Sequence, residues 1–312
     1  MEQSNAASSL VARKPRDDEI DVHGLTHVGN LRKENQDHFL ICSLKKHLQV
    51  HSTSLAPSEL HSAETDRLAF FAMVADGVGG GEGGEKASRF ALRAVTQYVT
   101  HSTHCFYTAD ASNDTEFTRT LQDAAQRVHD DLLRSSGDSM RATTLSLLLG
   151  VWPRVYLLQL GDSRYYLWRG GRLTQISRDQ TLAQELIDAG VLRPSSDRRS
   201  RLANTLSSAI GGPTSRPEVT AVENSWASIH LLCSDGLTKH VSDERISEHI
   251  QQMTSSRQLC ETLLAEALGN GGTDNVTIIV ARFVRGASTD DQSARHREDE
   301  SVTGRAAGVR TD

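Results

Sequence analysis

The chain has 312 residues, 37% of them hydrophobic and 24% charged, enough to bury a substantial core and outside the composition of collagenous or wholly disordered chains. A formal net charge of −6 with scattered Arg argues against a nucleic-acid surface, which needs a clustered basic face. No apolar stretch approaches the roughly 18 residues of a membrane span, and Met1 to Arg16 lacks the apolar segment of an export signal, so neither is expected.

Residues 1 to 16 and 286 to 312 are polar and poor in aromatics, and are expected to be disordered tails around one folded unit at 17 to 285. From the N-terminus, Lys45 to Arg67 mixes Ser, Thr, His and Pro without period and reads as a surface loop. Leu68 to Ala75 reads as a buried strand. Ala87, Phe90, Ala91, Ala94, Val95, Tyr98 and Val99 then recur at helical spacing, as do Phe117, Leu121, Ala124, Val128 and Leu132. Both predict long amphipathic helices.

Thr144 to Val151 and Val155 to Leu160 are short branched runs joined through Trp152-Pro153-Arg154, and Arg169-Gly170-Gly171 makes a second tight connection. Such links are too short for a crossover helix, so 143 to 177 is an antiparallel meander. A helix from Thr181 to Ala189 is stopped by Gly190, and two more follow Ser242 and Ser255, the last ending at Gly269-Asn270-Gly271. Ile229 to Cys233 and Val276 to Phe283 are further strands. The expected class is α+β, with packed antiparallel sheets flanked by helices.

Four of these apolar runs abut an aspartate beside a glycine or small residue: Ala75-Asp76-Gly77, Leu160-Gly161-Asp162, Ser234-Asp235-Gly236 and Thr273-Asp274-Asn275. Taken singly, each is an ordinary turn sequence. Taken together, carboxylates converging at strand ends would repel one another without cations between them. Oxygen donors without His or Cys favour Mg²⁺ or Mn²⁺ over zinc, and the thirteen His show no HExxH spacing. A two-metal carboxylate centre activates water and clamps phosphoryl oxygens, the chemistry of phosphoester hydrolysis. Arg32, just before Glu34-Asn35-Gln36-Asp37, is the candidate guanidinium for the phosphate.

These residues resemble the protein phosphatase 2C family in its compact bacterial form. The resemblance covers about 20 to 284 and rests on Arg32 to Asp37, Asp76-Gly77-Val78-Gly79-Gly80, Gly161-Asp162-Ser163-Arg164, Cys233-Ser234-Asp235-Gly236-Leu237 and Gly272-Thr273-Asp274-Asn275-Val276-Thr277, in the family's order. It implies an α-β-β-α sandwich with the metal site at one edge of the sheets. It further implies two Mn²⁺ or Mg²⁺ ions, bridged by Asp76, with the Gly77 carbonyl on one and Asp235 and Asp274 completing the other. Arg32 would hold the phosphate, Asp37 would orient a ligand or water from behind, and Asp162 would help bind a looser third ion.

The implied activity is metal-dependent hydrolysis of phosphoserine and phosphothreonine in proteins by activated water, opposing a Ser/Thr kinase. Scattered reduced cysteines fit a cytoplasmic chain, and a monomer is expected because no apolar helix face is left over once the sheets are covered. Two departures stand out. Val78 replaces the His that eukaryotic relatives carry after Asp-Gly, leaving the leaving-group acid unassigned, and Arg141-Ala142-Thr143-Thr144 follows Met140 where the family reads Gly-Thr-Thr.

Three rival readings compete. Gly79 to Gly84 fits GxGxxG, but Asp76 would face a pyrophosphate with like charge, and a meander follows instead of a βαβ unit. A catalytically weak sensor or scaffold on the same fold would be expected to have lost ligands, and none is missing. A phosphatase of anti-sigma antagonist proteins usually carries a sensory domain, for which the N-terminal tail is short, and Ser177-Arg178-Asp179-Gln180-Thr181 suits the kinase-opposing type better. The polar segment Val191 to Ser208, with Arg193, Arg198, Arg199 and Arg201, matches the family's flap beside the metals; a solvated basic face competes there with docking of an acidic phosphopeptide. The four cysteines form no CxxC pair, and Cys233 reads as core, with no phosphate-binding loop around it.

Overall fold

The computed structural model describes residues 13–45, 67–79, 82–101, 114–136, 141–193 and 202–285. The expectations that fall on residues 1–12, 46–66, 80–81, 102–113, 137–140, 194–201 and 286–312 lie outside the described residues.

Strands β1 (Ile20–His27), β2 (Asp37–Lys45) and β3 (Arg67–Val78) precede the long helices α1 (Glu82–His101) and α2 (Asp114–Ser136). The meander follows as β4 (Ala142–Thr143), β5 (Leu145–Val151), β6 (Arg154–Leu160), β7 (Arg164–Arg169) and β8 (Arg172–Gln175). After α3 (Leu182–Asp188) come β9 (Glu218–Glu223), β10 (Ile229–Cys233), α4 (Asp235–Thr238), α5 (Asp243–Gln251), α6 (Ser256–Gly269) and β11 (Val276–Phe283). Ser242 and Ser255 cap α5 and α6, their side chains accepting from Arg245 N and Gln258 N, and Thr181 caps α3 in the same way through Gln184 N.

The strands form two antiparallel sheets. One is ordered β1-β11-β10-β7-β8, the other β2-β3-β5-β6-β9, with β4 paired to the end of β3. Period-2 alternation builds three apolar layers from these strands. Met73 and Ala75 of β3 point to α1 and α2 with Leu147, Leu158, Val95 and Leu121. The intervening Ala72 and Val74 face the other sheet, meeting Leu157, Tyr165, Leu232 and Ile279. On the far side Leu231, Cys233, Ile278 and Val280 pack under Leu237, Leu259 and Leu263 of the C-terminal helices. The result is the α-β-β-α sandwich.

Three edge strands, β1, β2 and β9, were not visible as apolar runs. Residues 13–16, which composition assigned to the N-terminal tail, lie against the body: Arg13 pairs with the buried Glu19 and stacks over Trp226, and Lys14 and Pro15 engage Arg67. Among the described residues, no helix is long and apolar enough to cross a membrane, and Cys42, Cys233 and Cys260 are free thiols.

Candidate metal centre

Each acidic residue singled out from the sequence lies at the same end of the sandwich. Asp76 ends the buried part of β3, Asp162 turns β6 into β7, Asp235 opens α4 after β10, and Asp274 precedes β11. With Arg32, Gly77 and Val78 they line one cleft of about 570 Å³, whose wall also includes Asn204 and Lys239. Asp37 stands behind the cleft, 2% exposed, directly across the ladder from Asp76. One of its oxygens accepts from Ser234 Oγ at 2.7 Å and Thr277 Oγ1 at 2.8 Å, tying both sheets together.

Local sequence explains the placement. Asp76 is held by its backbone, its N–H donating to Thr144 Oγ1 at 2.9 Å and its carbonyl accepting from Thr144 N at 2.8 Å and Thr143 Oγ1 at 2.8 Å. So Thr143-Thr144 still fulfils its bracing role despite the altered residues before it. Gly77 and Gly84 pass so close that a Cβ on Gly77 would lie 2.4 Å from the Gly84 carbonyl, which is why the strand can turn directly into α1 there. Gly77 and Gly84 therefore pack the end of the strand against the helix. Gln180 clamps the Asp162 turn, its Oε1 accepting from Gly161 N at 2.9 Å while its N–H reaches the Gly161 carbonyl at 3.0 Å. Next to it Arg164 forks onto Asp179.

Two residues with central roles were not anticipated. Asn275 is buried and joins the Asp274 turn to the loop that carries Arg32. Its Nδ2 donates to Val28 O at 2.8 Å and Glu34 O at 2.9 Å, and its Oδ1 accepts from Gln36 N at 2.9 Å. Lys239, one helical turn beyond Asp235, sets its Nζ 2.6 Å from Asp235 Oδ2 and 2.8 Å from Asp274 Oδ2. The i,i+4 spacing to Asp235 was the available signal for Lys239. Arg32 forks onto Asp274 through Nε at 2.8 Å and Nη2 at 3.0 Å.

The electrostatics record crowding of like charge. Burial pushes Asp37 up to about 6 against the bonds from Ser234 and Thr277. Burial also raises Asp76 well above the ordinary carboxylate range, reinforced by Asp37, Asp235, Asp162 and Asp274. Asp162 is pushed up to about 8 by burial and by Asp235, and burial raises Asp235 despite Lys239. Burial pushes in the same direction on Asp274, but hydrogen bonds from Lys239 and Arg32 outweigh it and hold the group below its usual value.

Asp37 Oδ1 and Asp235 Oδ1 are buried without a hydrogen-bond partner. Unpartnered buried carboxylate oxygens in an all-oxygen donor set suit a hard divalent cation. As the side chains stand, no group of three His, Cys, Asp or Glu among the described residues encloses an ion; the cations touching Asp274 are Lys239 and Arg32.

A family model described as protein phosphatase 2C matches residues 58–269, and the chain belongs to that family. The matched span contains Asp76, Gly77, Asp162 and Asp235, while Arg32, Asp37 and Asp274 join the site through the fold. Among its relatives is the serine/threonine protein phosphatase PstP of Mycobacterium tuberculosis, 33% identical over 216 residues, 68% of this chain but 40% of that protein. The chain thus spans less than half the length of that relative. The serine/threonine phosphatase stp of Listeria monocytogenes is 28% identical over 214 residues, 67% of this chain and 82% of that protein. The PstP catalytic domain in complex with two manganese ions superposes with a TM-score of 0.62 at 27% identity, covering 85% of this chain and 99% of that structure.

Proposed function

We propose that this protein is a metal-dependent protein serine/threonine phosphatase, its catalytic unit spanning residues 17 to 285. The observation that carries the reading is the convergence of Asp76, Asp162, Asp235 and Asp274, with Arg32, on one cleft at the end of two packed sheets. Names of relatives in the family support it, as does the two-manganese complex of a similar fold.

In this reading Asp76, the Gly77 carbonyl, Asp235 and Asp274 would hold two Mn²⁺ or Mg²⁺ ions, and Asp162 would serve a looser third. When bound, the ions supply an activated water and neutralise charge on the phosphoryl group. The remaining work belongs to the chain. Arg32, 57% exposed at the rim, offers its guanidinium to the phosphate oxygens, which suit its fork geometry. Asp37, anchored by Ser234 and Thr277, keeps Asp76 and the Asp235 turn in register. Val78 at the cleft wall has no proton to give, so the leaving alkoxide takes its proton from solvent-derived water.

The substrates would be phosphorylated proteins, the circuit one that opposes a Ser/Thr kinase, and the working state a cytoplasmic monomer; the free thiols Cys42, Cys233 and Cys260 suit a reducing compartment. The test is hydrolysis of p-nitrophenyl phosphate and of a phosphothreonine peptide with Mn²⁺, Mg²⁺ or chelator, beside Asp235→Asn. Turnover that requires the ion and is lost in the variant is expected. A folded protein inactive with every ion would favour a sensor or scaffold on this fold.

A further inference from the structure

Lys239 follows α4 directly, and its backbone N–H closes onto the Asp235 carbonyl at 2.9 Å, fixing where the side chain starts. From there its ammonium reaches across to a carboxylate on a different segment, bridging Asp235 Oδ2 and Asp274 Oδ2. These two residues are separated by 39 positions, 274 less 235, and meet only through the fold. The side chain is 31% exposed and lines the open cleft, so a path to solvent exists.

An ammonium and a divalent ion make incompatible demands on these oxygens. The ammonium sits 2.6 and 2.8 Å from them, whereas Mg²⁺ requires about 2.1 Å to the same atoms. Both bound together would put like charges within a few ångströms in a part-buried site, where repulsion is weakly screened.

We propose that Lys239 is a tethered competitor for the metal position between Asp235 and Asp274, an internal cation that an incoming divalent ion must displace. This rests on the proposed metal site. Lys239 stabilises the carboxylates when divalent ion is scarce and weakens ion binding at this position. Occupancy there, and not at the position of the Gly77 carbonyl, then falls first as free divalent ion becomes scarce. No bond is made or broken in the exchange; one charge-assisted pair is replaced by coordination, and the ammonium moves to water.

The test is calorimetric titration of the chelator-stripped full chain with Mn²⁺, together with melting temperatures with chelator and with saturating Mn²⁺. Lys239→Gln is expected to tighten the site that Asp235→Asn removes by about tenfold, the equivalent of about 1.4 kcal/mol. It is also expected to lower the melting temperature in chelator by about 2 to 3 °C, while leaving the Mn²⁺-saturated value unchanged. Lys239→Arg, which keeps the charge, should stay within about threefold of the parent affinity on the same scale.

Affinity in Lys239→Gln equal to or weaker than the parent's would overturn the competition. Asp235→Asn separates the levels. If it loses a site that the parent has while Lys239→Gln changes nothing, competition alone is refuted. If Asp235→Asn binds Mn²⁺ as the parent does, the metal assignment falls and this inference with it.

Discussion

Asn275 offers the sharpest test of how the fold positions the loop that carries Arg32. Its side chain makes three hydrogen bonds to the backbone of the loop that carries Arg32, at Val28, Glu34 and Gln36. At about 1 kcal/mol net each, Asn275→Ala should lose about 3 kcal/mol of stability. Asn275→Asp is the more telling change, being nearly isosteric. It keeps the acceptor for Gln36 N but loses both donors, and sets a carboxylate against two carbonyls beside Asp274. The same loss or more is expected. With a urea m-value near the upper end of the usual range, about 3 kcal/mol/M, the midpoint should fall by about 1 M in either variant. With Arg32 in the phosphate-holding role proposed for it, loss of this anchor should lower kcat/KM for p-nitrophenyl phosphate by about tenfold to a hundredfold. Both measurements use purified protein with saturating Mn²⁺. An Asn275→Asp variant as stable as the parent and within about threefold of its kcat/KM would refute the reasoning.

Cys233 is fully buried among apolar residues and burial pushes its thiol up to about 12, so Cys233→Ala should leave kcat within about threefold and cost about 1 kcal/mol for the small cavity; a thousandfold loss with folding preserved would reinstate it as a nucleophile. His230 is buried, accepting from the Tyr165 hydroxyl at 2.8 Å and facing Asn224 Oδ1 at 3.1 Å, and burial pushes it down to about 4. The unfolded chain takes up that proton near pH 6.5 and the folded one only near pH 4, so stability should fall as pH drops between these values, by up to about 3 kcal/mol. Urea midpoints across that window should slope less in His230→Phe than in the parent; equal slopes would exclude His230 as the cause.

The legible parts of the site share one property: a carboxylate next to a run of buried apolar residues is costly enough to stand out locally. Asp76, Asp162, Asp235 and Asp274 each carry that mark in a few residues of sequence. Asn275 does not, because its partners are backbone atoms of Val28, Glu34 and Gln36, more than two hundred positions away. Lys239 shares a helical turn with Asp235, but only the fold brings Asp274 to its ammonium.

In the scaffold, strands buried on both faces, such as Leu147 to Leu149 in β5 and Ile278 to Val280 in β11, declare themselves as apolar runs. The edge strands β1, β2 and β9 bury less of each side chain. Their polar residues, His23 and Thr26 or Glu218 and Glu223, dilute the pattern below recognition. The helices were found by periodicity, with ends that run beyond the periodic residues to Glu82–His101 and Asp114–Ser136.

The acidic residues are divided between the layers: Asp37 and Asp76 belong to the β2-β3-β5-β6-β9 sheet, Asp235 and Asp274 flank strands of the other, and Asp162 lies in the turn that joins the two. Their like-charge crowding therefore lies across the seam of the sandwich, while Val74, Leu157, Leu232 and Ile279 hold the layers together further in. In the proposed reading, cations bound at this end would relieve that crowding, while the apolar middle keeps the layers packed whether or not they are there. Cohesion of that end would then follow ion supply and cohesion of the remainder hydrocarbon packing, two controls acting separately in one folded unit.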